Sequence, residues 1–167
     1  MKTNNSHLLT EEVRTEIDKW VAKYPPEHKR SAALTALTLA QKQNNGWLPL
    51  ELQNAVADYL DMPHIAVHEL VTFYSLLETK PVGKHKILVC ASISCMLRGA
   101  SKVIEYLEQR LGIKSGETTS DGKFTLKHFE CLAACTNAPM MQIGDVFYED
   151  LTPEKIDAIL QQLESEN

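Results

Sequence analysis

No apolar run in this sequence of 167 residues approaches the ~18 residues that suggest a membrane-crossing helix, so direct membrane insertion is not expected. Basic charge is scarce: 17 Lys and Arg stand against 22 Asp and Glu, a net charge of −5 that argues against nucleic acid as a partner. The seven glycines never fall into G-x-G-x-x-G or G-x-x-x-x-G-K, so no nucleotide cradle is recognisable. C-x-x-C is absent, which disfavours a zinc knuckle and a thioredoxin-type dithiol. No Ser/His/Asp or paired-carboxylate arrangement can be argued from spacing, and no catalytic residue is expected. The opening MKTNNSHLLTEE has neither the apolar core of a signal peptide nor the Arg-rich, acid-poor character of a transit peptide. A cytoplasmic protein is therefore expected, although an organellar chain stripped of its leader reads the same way. What remains is ordinary soluble composition, 44% apolar and 23% charged, in a length that suits one domain or two small ones.

The first 80 or so residues read as four short helices with short connections, a small helical bundle. Thr10 is a candidate N-cap with Glu11 and Glu12 behind it, and Val13, Ile17, Trp20, Val21 and Tyr24 recur at helical spacing until Pro25-Pro26. A second helix carries Ala33, Leu34, Leu37 and Ala40 and stops at Asn44-Asn45-Gly46. A third spans roughly 50–60, and a fourth follows Pro63 with Val67, Leu70, Val71 and Tyr74. Trp20 and Trp47 read as core or cap-packing residues.

At Pro81-Val82-Gly83 the pattern changes. A strand is expected over 85–91, one helix over 97–111 ending at Gly112, and a strand over 123–130. A hairpin follows, Met140 to Ile143 and Val146 to Tyr148 turning on Gly144-Asp145, and then a helix opened by Thr152-Pro153. The fold class is α+β: a helical module over 1–80, then a β-α-β-β-β-α domain over 81–167.

All four cysteines lie in this second part, as C-A-S-I-S-C (Cys90, Cys95) and C-L-A-A-C (Cys131, Cys135). Strands joined by a right-handed helical crossover run parallel, so both pairs should emerge at the C-terminal edge of the sheet, where ligands bind in open α/β sheets. Three chemistries compete for four thiolates there: a 2Fe–2S cluster with two cysteines per iron, a four-Cys structural zinc in an interaction protein, or disulfides and dithiol redox. The wider spacing favours the larger object. His64 and His68, four apart on a helix, have no third metal ligand nearby and read as solvent-facing or capping; His128 is a remote substitute ligand. Met140 and Met141 read as core rather than partner-facing. Arg98 and Lys102 either bias a negatively charged centre or form a solvated face.

The segments QKQNNGWLP (41–49), VTFYSLLETKPVGKHKILVCASISCMLRG (71–99), LGIKSGETTSDGKFTL (111–126) and ECLAACTNAPMMQI (130–143) carry a resemblance. The second half resembles the thioredoxin-like 2Fe–2S ferredoxin family. From about residue 10 the chain resembles the small, E-type iron–sulfur subunits in the NADH-oxidising arm of respiratory complex I, the NADH-quinone oxidoreductase. The family's acidic residue, Phe-Thr and C-L-G-x-C-x-x-A-P are met by Asp121, Phe124, Thr125, Cys131, Leu132, Cys135, Ala138 and Pro139; Ala133 stands where glycine is usual. The resemblance implies a thioredoxin-like domain with one 2Fe–2S cluster whose iron is held by Cys90, Cys95, Cys131 and Cys135. It implies a non-catalytic electron-transfer subunit docked on the flavin- and NADH-binding partner (the F-type or 51 kDa subunit), which would hold the FMN and NADH. Location would be cytoplasmic and peripheral to the inner membrane, or on the matrix side if mitochondrial. The equivalent subunit of an NAD-linked hydrogenase or formate dehydrogenase reads alike. The helical module, with no chemistry of its own, is expected to dock.

Overall fold

In a computed structural model, the structure describes residues 5–165. The chain divides into two compact units, Met1–Pro81 and Val82–Asn167. Among the described residues no helix is long and apolar enough to cross a membrane.

The first unit holds α1 (Glu11–Val21), α2 (Ala33–Gln43), α3 (Leu50–Tyr59) and α4 (His64–Phe73). Local chemistry sets the ends. The Thr10 hydroxyl accepts from the Val13 N–H at 3.3 Å and caps α1. Asn45 and Gly46 both take positive φ after α2, and the Gly46 N–H donates to the Gln41 carbonyl at 2.8 Å. Ile17, Leu37, Leu48, Val56 and Val67 are fully buried and form the core of this bundle.

Trp20 departs from the core assignment. It is 36% exposed, and the Lys23 ammonium lies 3.4 Å from its ring centroid. The buried stripe of α1 runs 13-17-21 in steps of four, so position 20 falls at its rim. Trp47 is half-buried at the α2–α3 connection, where its carbonyl accepts from the Asn44 side chain. Leu34 is likewise exposed.

The second unit is a four-stranded sheet in the order β2-β1-β3-β4, with β1 His85–Cys90, β2 Phe124–Phe129, β3 Met141–Ile143 and β4 Val146–Tyr148. β1 and β2 are parallel, from His85 opposite Phe124 to Cys90 opposite Phe129; β3 is antiparallel to β1. Alternation along β1 splits the core. Ile87 and Val89 join Leu107, Leu126, Met141, Ile156 and Leu160 in one cluster, whereas Leu88 and Cys90 join Cys95, Ala100, Leu132 and Met140 in another.

The expected single helix over 97–111 is instead two, α5 (Ile93–Leu97) and α6 (Ala100–Leu111). Gly99 separates them at φ 97°, a left-handed conformation that ends one helix and lets the next start in a new direction. Cys95 therefore sits within a helical turn and not in a loop. Gly112 stops α6, again left-handed. Helix α7 (Pro153–Ser165) closes the unit, the Thr152 hydroxyl accepting from the Lys155 N–H at 3.3 Å.

Leu107 is fully buried in the cluster shared by both parallel strands and α7. Leu107→Ala should therefore cost about 2–5 kcal/mol in chemical denaturation; a loss below ~1 kcal/mol would show that this unit's core lies elsewhere.

Candidate metal centre

Cys90 ends β1 and Cys95 lies on the inner face of α5, 2% and 1% exposed. Cys131 follows β2 and Cys135 opens a short 3-10 turn; both are exposed, and none of the four is in a disulfide. The Cys90 and Cys95 side chains are hydrogen-bonded, and the charge of Cys135 is felt at Cys95. Among the described residues no three His, Cys, Asp or Glu side chains are already gathered as a metal would need them. The inner pair is thus assembled, and the outer pair faces solvent at the same edge of the sheet.

Main-chain donors converge on these sulfurs. Burial pushes the Cys90 thiol up, but the N–H groups of Leu132 and Ser92 and the hydrogen bond from Cys95 outweigh it and hold Cys90 below its usual range, against Glu130. Cys95 moves the other way: burial raises it first, then its bond to Cys90 and that sulfur's charge, with the Met140 N–H opposing. The Ala133 N–H points at the Cys131 sulfur at 3.4 Å. Donors aimed at sulfur favour the thiolate, the form that binds metal; they outweigh burial at Cys90 but not at Cys95, where a bound cation would have to draw off the proton. Four sulfurs at one sheet edge with main-chain donors among them fit a thiolate-ligated group.

Met140 serves both inner cysteines through its backbone. Its carbonyl accepts from the Cys90 N–H at 3.2 Å, and its own N–H points to Cys95. Its side chain and that of Met141 are fully buried, so both belong to the core. Neither this role nor that of the Leu132 N–H is signalled by residue type, because any residue but proline supplies an N–H.

Ala133 has φ 63°. That left-handed conformation costs an L-residue about 1–2 kcal/mol. Glycine relieves it but loses about 0.4–1 kcal/mol through a freer unfolded chain. Ala133→Gly should accordingly stabilise by roughly 1 kcal/mol or less in thermal unfolding, and a clear destabilisation would contradict the left-handed turn.

The other candidates disperse. His64 bonds Asp58 at 2.7 Å and His68 bonds Gln53 at 2.9 Å, so the two histidines do not share a site. The His128 ring meets the Ser115 hydroxyl at 2.9 Å. Arg98 and Lys102 line an open cleft of about 830 Å³ with Met96, Leu97, Tyr106 and Ile156.

Comparison with known proteins gives the chain its relatives. The thioredoxin-like 2Fe–2S ferredoxin family matches over residues 17–164. The chain is 50% identical over 146 residues to the E subunit of NADH-quinone oxidoreductase from Rickettsia bellii (strain RML369-C), covering 87% of each. It is 41% identical over 165 residues to NADH dehydrogenase (ubiquinone) flavoprotein 2, mitochondrial, of Dictyostelium discoideum, covering 97% of this chain and 67% of that one. Among solved structures, an NAD+-reducing NiFe-hydrogenase in the air-oxidised state aligns with a TM-score of 0.66 at 18% identity. The alignment covers 78% of this chain and 23% of that longer one, and it shows the fold alone.

Proposed function

Because the chain belongs to the thioredoxin-like 2Fe–2S ferredoxin family, with the E-type subunits of NADH-quinone oxidoreductase, we propose that it carries one 2Fe–2S cluster on Cys90, Cys95, Cys131 and Cys135. Its role is one-electron transfer beside the flavin of an F-type partner that also binds NADH. The observation that carries this reading is the convergence of main-chain N–H groups on cysteine sulfurs at one edge of the sheet.

A 2Fe–2S cluster supplies a one-electron couple and, with four thiolates, bears two negative charges when oxidised and three when reduced. The N–H groups of Ser92, Leu132, Ala133 and Met140 donate toward the sulfurs and favour the more negative state, which raises the potential. Buried Leu132 and Ala138 keep water from the inner pair, which pulls the potential the opposite way. Hydride chemistry needs flavin or nicotinamide, so the two-electron step belongs to the partner.

Iron and acid-labile sulfide analysis of the purified chain, with visible and EPR spectra, tests the assignment. Iron and sulfide in equal amount, absorbance bleached by dithionite and an EPR signal only when reduced are expected. A colourless, zinc-only chain without sulfide would establish the interaction-protein alternative. NADH oxidation by the isolated chain is expected to be nil. Co-purifying subunits separate NADH-quinone oxidoreductase from an NAD-linked hydrogenase or formate dehydrogenase, and 50% identity to an E-type subunit of the first enzyme supports it. Assembly there would hold the protein at the membrane, and among the described residues no helix is long and apolar enough to cross it.

The helical unit serves as a docking element in this reading, since it has its own core and leaves Leu50, Ile65 and Phe73 exposed. Deleting residues 1–80 should leave cluster absorbance largely in place and weaken partner binding; loss of colour with binding retained would reverse the roles.

A further inference from the structure

Helix α5 has five residues, and one of them, Cys95, is buried. Of the others, Ile93 is 77% and Leu97 83% exposed, with Met96 exposed beside them. A short helix that turns its buried face to a cysteine and shows three large apolar side chains to solvent is an unpartnered surface. Two cations edge it. Arg98 caps α5 and Lys102 lies in the first turn of α6; both line the cleft beside Met96 and Leu97, and among the described residues neither has an ion-pair partner. This basic edge stands out on a chain of net charge −5.

We infer that the outer face of α5, Ile93, Met96 and Leu97 with Arg98 and Lys102 at its edge, is a docking surface for the flavin-bearing partner in addition to the helical unit, and that the partner meets it with an apolar surface rimmed by carboxylates. The inference rests on the function proposed above and assigns the surface and its chemistry. Three observations select this occupant. Cys95 lies directly beneath the face, so a protein seated there approaches the centre with one helical turn between them. The cations need opposite charge, and long-range attraction of that kind speeds and orients encounter. A second copy of the chain is disfavoured, because a two-fold contact brings the same patch together from both sides and would set Arg98 and Lys102 against their equivalents.

The test uses the full cluster-containing chain and the purified flavin- and NADH-binding partner, with association followed by surface plasmon resonance over a salt series. Wild-type association should slow as salt rises. The double variant Arg98→Glu/Lys102→Glu should weaken binding about tenfold or more at low salt and flatten the salt dependence. Leu97→Asp should weaken it by about tenfold or more at every salt concentration, as loss of a desolvated apolar contact does. Phe147→Asp, on edge strand β4, should change nothing. Retained visible absorbance in each variant reports an intact fold. Salt-independent wild-type association, or a coloured chain whose binding ignores both variants, overturns the docking face while leaving the cluster assignment standing. Variants that only convert a dimer of this chain to monomer overturn it in favour of a second copy. A wild-type chain without a 2Fe–2S signal overturns the underlying function and the docking face with it.

Discussion

Cys95→Ser is expected to purify without visible absorbance, whereas Cys131→Ser is expected to keep a substantial part of it. The difference lies in the surroundings, because both changes replace sulfur by oxygen. Cys95 is buried with Ala100, Leu132, Ala138 and Met140 around it, and one main-chain N–H, from Met140, is directed at its sulfur. A serine there must lose its proton in an apolar pocket to act as a ligand, and desolvation of that charge has little to offset it. The buried hydroxyl itself costs about 1–3 kcal/mol if it finds no partner. Cys131 is exposed, so water can solvate a serine oxygen at the same place, and the Ala133 N–H remains to point at it. Iron per chain and the visible spectrum decide the matter, with circular dichroism as the check on folding. Equal retention of colour in the two variants would show that burial does not govern ligation here.

Gly83→Ala is expected to destabilise the second unit by about 2–3 kcal/mol, the cost of forcing a side chain into filled space. No left-handed backbone is involved at this glycine. A Cβ at residue 83 would lie 2.8 Å from the Phe124 carbonyl carbon and 2.9 Å from the Phe124 nitrogen and the Lys123 carbonyl carbon. All three are backbone atoms, so no side chain can swing away, and the start of β2 must move. That movement strikes the bonds that set the register of β1 against β2. The Gly83 N–H donates to the Thr125 hydroxyl at 2.6 Å, and the His85 N–H to the Lys123 carbonyl at 2.8 Å. Thr125 is buried and also bonds Thr118 at 2.7 Å, so the disturbance reaches the loop before β2. Urea denaturation followed by a probe in the second unit should show an earlier midpoint. An unchanged midpoint would mean that the close approach at Gly83 is absent in solution.

The parts of this molecule that are legible in its sequence are those that local chemistry decides. Thr10, Asn45-Gly46, Gly112 and Thr152-Pro153 each act within a few residues of themselves, and each ends or begins an element where expected. The β-α-β-β-β-α order follows from hydrophobic period, and parallel pairing of β1 with β2 from the handedness of crossovers. Gly99 is harder, because apolar residues at helical spacing continue across it and a glycine inside a helix is tolerated; only its left-handed φ divides α5 from α6. Trp20 misleads because a tryptophan one position off the buried stripe has the same period as one on it. At the candidate centre the cysteines are visible as residue types. The N–H groups of Ser92, Leu132 and Met140 are not, since the path of the chain aims them and no side chain advertises them. The positive φ of Ala133 is signalled only by the family's preference for glycine there.

The parallel pairing of β1 and β2 also bears on the order of events in folding. Cys90 ends opposite Phe129, and that register cannot form until the crossover through α5 and α6 has closed, at the entropic cost of a long loop. What offsets the cost is burial of Ile87, Val89, Leu107, Leu126, Ile159 and Leu160 in one cluster, none of them a cysteine. The sheet therefore has its own driving force, and its parallel pairing is what brings the two cysteine pairs to one edge. This is the reverse of a zinc finger, in which the metal supplies the folding free energy and the apo chain is unfolded. On the function proposed above, the centre is a late guest of a finished scaffold, and a chain made while iron is short keeps its sheet and waits.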